Sequence, residues 1–425
     1  MDPSAELDAL VDVVVEDGRF SRIGPLARGD LRPGEHVRFV DGAGLWMWPG
    51  LVDIHTHLRE PGHEYKEDLQ SGLAAAAAGG FVDVCCMPNT APVNDTRAVT
   101  ELLVLKAKSL GGTRLHPIGA ITVGLGGERL ADMASMREAG AVAVSDDGRC
   151  VMNAALMRRA LEYARTFDLP VIQHAEDHTL TDGAQMHEGA VATRLGLRGW
   201  PSVAEDIIVA RDLLLAEYVD ARYHVAHLST GGSARLVREA KARGLSVTAE
   251  VTPHHLLLTD SALLGYDTAC KVAPPLRSEE HVAAVREALA DGTIDVIATD
   301  HAPHSSLEKD CEMGKAAPGM IGLELCVPLL LGLVREGALS TARLIDALTR
   351  APARVVGIEA PALRVGGRAD AVLVDPESRF VVRAEDFRSK STNTPFLSKE
   401  LQGRVLLTLA RGQVAFERRV EKEPS

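Results

Sequence analysis

This 425-residue chain is poor in aromatic residues, at 4%, and has no long apolar run. A membrane helix needs roughly 20 consecutive apolar residues. The longest candidate, residues 321–334, is broken by Glu324 and Pro328. Residues 1–5 hold no basic stretch leading into an apolar one, so no secretory signal is readable and a cytoplasmic location is expected. Positive charge is in deficit too. With 46 Lys and Arg against 59 Asp and Glu, the net charge is −13, and no basic stripe is available to neutralise phosphates. General nucleic-acid binding is thereby excluded. An acidic chain can still take an acidic metabolite where an arginine or a metal supplies a local positive field. The six cysteines include no CxxC pair, and Cys85 and Cys86 are neighbours in an apolar run. They read as reduced core thiols, not as a disulfide framework. No GxSxG elbow of a serine hydrolase occurs. Gly124, Gly126 and Gly127 do not follow the GxGxxG pattern of a dinucleotide fold.

What is present is ordinary for a globular protein, with 46% hydrophobic and 25% charged residues. The length allows a large core and a smaller second module. Eight short apolar runs punctuate the middle of the chain, at residues 50–57, 81–87, 114–120, 141–145, 170–174, 223–227, 246–252 and 294–299. Most are continuous, as parallel strands covered on both faces require. Segments with apolar residues three and four apart lie between them, at 152–166, 204–218, 234–243 and 280–290. The repeated alternation predicts an α/β fold built on a (β/α)8 TIM-like barrel over residues 49–362. The five alanines Ala74 to Ala78 read as a tightly packed helix interior. Both ends read as short antiparallel strands: 11–15, 20–23 and 37–40, then 371–374, 405–410 and 414–416. Segments 1–48 and 363–425 are therefore expected to meet in one small β-sandwich module.

Histidine placement carries the chemistry. His55 and His57 stand two apart on the first barrel strand, so both side chains face the interior. His174 and His227 close the fifth and sixth strands, Asp300 follows the eighth, and Asp147 follows the fourth. The C-terminal ends of barrel strands are where catalytic groups collect. Four histidines and two aspartates without a thiolate suit zinc, with Mn2+, Co2+ or Fe2+ as substitutes. Six ligands exceed the needs of one tetrahedral ion, so two ions bridged by a carboxylate are expected. Chemistry alone leaves Asp146 and Asp147 open as the bridge. His254 and His255 read as supporting or packing residues, His63, His178 and His187 as loop residues, and Cys150 as a bystander.

Six motifs resemble those of class I dihydroorotases in the amidohydrolase superfamily: HTHLREPG from His55, MPNT from Met87, SDDG from Ser145, QHAED from Gln173, HVAHLST from His224 and ATDHAPH from Ala298. Their order and spacing match over almost the whole chain. The likeness implies that His55, His57 and Asp300 hold one metal, that His174 and His227 hold the other, and that Asp147 bridges them. Many relatives, hydantoinases included, use a carboxylated lysine on the fourth strand. This chain has no lysine between Lys108 and Lys241, so that bridge is impossible here.

The same resemblance implies reversible cyclisation of N-carbamoyl-L-aspartate to L-dihydroorotate, a step of pyrimidine biosynthesis. A hydroxide shared by the two ions would attack the amide carbonyl, with Asp300 as catalytic proton shuttle. Arg59, Asn89 and His304 are expected to take the substrate carboxylate, Arg59 by a two-pronged contact. The competing reading of Arg59 is an ion pair with Glu60 or Glu64. Ala273, Pro318 and Gly319 are expected to line the substrate, although many class I members carry an asparagine at the Ala273 position. The segment 304–319 reads as a loop that closes over substrate. Hydantoinase or allantoinase activity is the enzymatic rival, and allantoinases differ at the Arg59 and Asn89 motifs. A non-catalytic scaffold bound to aspartate transcarbamoylase is a further alternative; such paralogues lose metal ligands, and all six are present here. A homodimer, with possible association with aspartate transcarbamoylase, completes the expectation. Members of the family also begin with one more strand than is readable here.

Overall fold

The apolar runs become eight short parallel strands that lie almost wholly out of solvent: β1 Leu51–Thr56, β2 Phe81–Cys86, β3 Arg114–Gly119, β4 Ala143–Ser145, β5 Val171–Gln173, β6 Tyr223–Val225, β7 Val247–Val251 and β8 Val296–Ile297. These come from a computed structural model that describes residues 1–29, 31–32, 34 and 37–418. Each strand pairs with its sequence neighbours from β1 through β8. A parallel bridge between Thr56 and His301 brings the last strand back to the first, with His57 N–H donating to His301 O at 2.8 Å. Asp53 reinforces that seam from inside. Its carboxylate accepts the His55 N–H at 3.0 Å and the Thr299 hydroxyl at 2.5 Å, while burial pushes its pKa up to about 7.

Helices cover the barrel in the crossovers, as parallel strands demand. Their starts follow local chemistry. Asn153 caps Ala154–Thr166 by accepting the Leu156 N–H, and Asp68 forms a capping box with Ser71 at the start of Leu69–Ala78. The alanine run is nearly all interior to that second helix, and its small side chains let a long strand of the terminal module come close. Thr408 donates its hydroxyl to Ala77 O at 2.7 Å across that contact.

The module draws on both ends of the chain. Trp46–Pro49, Ala371–Val381, Glu400–Ala410 and Gln413–Glu417 form a four-stranded antiparallel sheet in that hydrogen-bonded order. A separate hairpin, Asp12–Glu16 with Arg19–Gly24, packs Phe20 against Leu363, Ala369 and Ala371. The strand expected at 37–40 does not form. Among the described residues only an isolated bridge joins Gly34 and Val37, and Phe39 and Val40 are 41% and 48% exposed. Arg114 ties barrel to module by pairing with Asp83 at 2.6 Å and with Asp370 at 2.8 Å. Among the described residues, no helix is long and apolar enough to cross a membrane.

Candidate metal centre

The strands end sooner than their apolar runs, and this sets the site. His55 lies within β1, but His57 and His174 fall one residue past β1 and β5. Asp147 and His227 fall two residues past β4 and β6, and Asp300 three past β8. All stand at the C-terminal rim, where irregular backbone is free to aim side chains. Three residues there adopt the left-handed region that non-glycine residues rarely occupy: Arg59 with φ 62°, His227 with φ 30° and Asp300 with φ 46°. Such conformations cost on the order of 1–3 kcal/mol each, and the surrounding hydrogen bonds must hold them.

Asp147 is the hub. Its Oδ1 lies 3.4 Å from His55 Nε2, 3.4 Å from His227 Nε2 and 3.7 Å from His174 Nδ1, while Oδ2 lies 3.4 Å from His57 Nε2. Asp300 Oδ1 is 3.1 Å from His57 Nε2 and 3.6 Å from His55 Nε2. Two triads, His55–His57–Asp147 and Asp147–His174–His227, each gather their donor atoms within 4.8 Å. The structure thus brings together all six residues read from the sequence. It also separates the two aspartates. Asp146 turns away to accept the N–H groups of Ile121 and Thr122 at 2.8 and 2.9 Å, with the Thr122 hydroxyl as a third donor.

The donor set fits divalent cations. His55 Nε2 and Asp147 Oδ1 are buried without a hydrogen-bond partner, an expensive arrangement unless a cation lies between such atoms. Electrostatics agree. Burial opposes charge on His55, yet Asp147, Glu250 and Asp300 raise its pKa well above the ordinary imidazole value. His174 is likewise raised to about 10 against burial, by Asp147 and Glu176. The same imidazoles hold the carboxyls of Asp147 and Asp300 well below their usual range, although burial pushes the other way. The carboxylates demand positive charge in a space closed to solvent.

Three imidazoles are oriented from behind, as metal ligands generally are. Glu250 pairs with His55 Nδ1, Asn89 Oδ1 lies 3.0 Å from His57 Nδ1, and Glu176 Oε2 lies 2.9 Å from His174 Nε2. Each partner leaves the opposite ring nitrogen facing the cluster. Asn89, expected at the substrate, thus supports a histidine through its oxygen and keeps its amide NH2 for another acceptor. Glu250 and Glu176 escaped the sequence reading, though a signal existed: Glu250 is a lone carboxylate within the apolar strand Val247–Val251, buried there completely.

Arg59 and His304 meet at the mouth, with Arg59 Nη2 3.3 Å from His304 Nε2 and Arg59 Nε donating to Pro303 O at 3.1 Å. Glu60 pairs with Lys106 instead, so the expected rival ion pair with Arg59 is not made to that residue. Burial lowers the Arg59 pKa to about 10, still charged at neutral pH, and burial with the Arg59 charge lowers His304 to about 3, leaving it neutral. Among the described residues Arg59 Nη1 has no hydrogen-bond partner. His304 Nε2 also lies 2.9 Å from Pro318 O, and Gly319 O accepts from Lys309 Nζ at 2.9 Å. Lys309 also donates to Ala317 O at 2.9 Å, pinning the loop around it. Ala273 is half-buried before Pro274, whose carbonyl lies 3.0 Å from His255 Nε2.

One contributor comes from the terminal module. Asn393 lies between its two long strands and reaches the barrel rim, accepting the His304 N–H at 3.1 Å and donating to Ala302 O at 3.0 Å and Gly319 O at 3.1 Å. A Ser-Thr-Asn-Thr-Pro stretch reads as a turn, so nothing local signalled this reach. Two histidines read as loop residues are structural. His178 Nε2 accepts the Cys150 N–H at 3.1 Å, and His187 is buried 3.4 Å from Arg277 Nη1.

Comparison with known proteins follows this geometry. Residues 44–233 match the family described as Dihydro-orotase-like. The chain is 50% identical over 418 residues to the dihydroorotase of Pelobacter propionicus, covering 98% of each. It is 51% identical over 419 residues to the dihydroorotase of Anaeromyxobacter dehalogenans, covering 98% of this chain and 96% of that one. Among solved structures, the L-hydantoinase (dihydropyrimidinase) of Arthrobacter aurescens superposes with a TM-score of 0.85 at 26% identity, covering 97% of this chain and 94% of that one. The dihydropyrimidinase of Brevibacillus agri superposes with a TM-score of 0.79 at 21% identity, covering 95% and 91%, and shares the fold.

Proposed function

The chain belongs to the dihydroorotase family of metal-dependent amidohydrolases, and from that premise we propose that it interconverts N-carbamoyl-L-aspartate and L-dihydroorotate. The setting of Arg59 carries the reading: a residue only 8% exposed, beside a buried His–Asp cluster, with one guanidinium nitrogen free of partners among the described residues. Dihydroorotate offers a ring carboxylate to such a group, while hydantoin and allantoin do not.

In this reading His55, His57 and Asp300 would hold one ion and His174 and His227 the other, with Asp147 available to both. Two Zn2+ ions suit the nitrogen and oxygen donors, and Mn2+, Co2+ or Fe2+ could replace them. When bound, such ions polarise a carbonyl and lower the pKa of water to about 7. The remaining work falls to the chain. Arg59, with Asn89 Nδ2 and neutral His304, orients the carboxylate. Ala273, Pro318 and Gly319 border the ring. Asp300 takes a proton at its carboxylate during ring opening and returns it to the leaving ring nitrogen. In the synthetic direction it takes the proton from the attacking ureido nitrogen and passes it to the departing oxygen, while the net cyclisation of the dianion to the monoanion consumes one proton from solvent and releases one water. Product should therefore be favoured tenfold more for each unit that the pH falls, within the range where both carboxyls of the open form are ionised.

Comparing turnover of dihydroorotate, hydantoin and allantoin by the purified protein tests the assignment. Preference for either of the latter two would overturn it. The same reading carries a homodimer, association with aspartate transcarbamoylase and residence in the cytoplasm. Sedimentation with and without the transcarbamoylase tests the first two.

A further inference from the structure

A single carboxylate oxygen touches both halves of the cluster. Glu250 Oε1, on β7, accepts from His55 Nδ1 and from the main-chain N–H of His227, the latter at 3.2 Å. The other oxygen, Oε2, lies 3.1 Å from His224 Nε2, and His224 Nδ1 lies 2.7 Å from Thr248 Oγ1. The main-chain carbonyl of Glu250 accepts the Leu228 N–H at 2.9 Å. Glu250, His55 and His224 are all fully buried.

We propose that Glu250 is the positioning residue that makes the two metal positions interdependent, an inference that rests on the two-ion reading above. On the His55 side, the carboxylate keeps the proton on Nδ1, leaves the Nε2 lone pair for an ion and raises its donor strength. On the His227 side, Glu250 holds two successive N–H groups, one with its side chain and one with its main chain. That double hold keeps His227 at its unusual φ of 30°, from which its ring reaches the cluster. His224, steadied by Thr248, fixes the carboxylate in one rotamer. An ion on the His174–His227 side therefore orders Glu250, which in turn orders His55. Thermodynamic linkage makes the reverse equally true.

The test uses full-length protein stripped of metal and titrated with Zn2+ against a chromophoric chelator, giving two stepwise dissociation constants. In Glu250→Gln both steps should weaken, by about 10- to 100-fold as for other supporting contacts of metal ligands. In His224→Gln both should weaken by a smaller factor. Weakening of one step alone, or of neither, overturns the proposal. Circular dichroism of the metal-free variants checks folding; should Glu250→Gln not fold, the two steps in His224→Gln decide by the same criterion. A wild-type chain that takes up fewer than two ions overturns the two-ion reading, and the proposal with it.

Discussion

At the scale of single residues, the site separates groups that meet substrate from groups that aim other groups. In the proposed function Arg59 belongs to the first kind. Replacing it with methionine removes a buried charge partner, worth roughly 2–5 kcal/mol, or about 30- to 5,000-fold in kcat/KM for dihydroorotate. Steady-state kinetics would read this, and any turnover of hydantoin should be spared. Asp300→Asn should cut kcat about 100- to 10,000-fold in both directions, the usual range for a positioned acid–base group. Equal loss for cyclisation and hydrolysis is the result to look for, since one carboxyl serves both. Asn393 acts at a distance. Its replacement by alanine frees the His304 N–H and leaves the Gly319 carbonyl to Lys309 alone, so KM for dihydroorotate should rise about tenfold, from roughly 1–1.5 kcal/mol of lost hydrogen bonding, while kcat falls less.

At the scale of elements, strand ends matter more than strand centres. The two-residue period placed His55 and His57 on one face, and four further residues were legible because each closes or follows an apolar run. What was illegible has a physical cause. Arg59, His227 and Asp300 lie beyond the hydrogen-bonded ladder, in left-handed backbone that no pattern announces. Supporting carboxylates such as Glu250 and Glu176 hide because sequence gives a residue's neighbours along the chain but not across a barrel. The contact from Asn393 spans 89 residues to His304 and leaves no local trace. Arg114 offers a test at this scale, since it joins the β2 carboxylate Asp83 to Asp370 of the module. Arg114→Met leaves two buried carboxylates short of a partner and should destabilise by about 3 kcal/mol, the low end for a broken buried pair because His116 and Arg368 remain beside them. Chemical denaturation would measure it.

At the scale of the whole molecule, several histidines are held neutral in the interior. Burial lowers His254 to about 4 and His187 to about 4, and His255 falls well below the ordinary value. The unfolded chain binds protons at these groups near pH 6.5, whereas the folded chain resists until about pH 4. The stability these histidines contribute therefore drops as pH falls through that window, while buried Asp53 and Glu324, raised to about 7, contribute in the opposite sense. Comparing thermal melts of metal-free wild type and His187→Asn between pH 6.5 and 4.5 isolates the histidine share: the wild type should lose more stability, or gain less, across the window than the variant. The aspartate at the end of β4 has a consequence for how the centre is assembled. A lysine in that role must first capture dissolved carbon dioxide as a carbamate, which ties activation to the gas. In the proposed reading Asp147 fills that role and is complete when translation ends, so reactivation of the stripped enzyme should proceed equally well in buffers purged of bicarbonate.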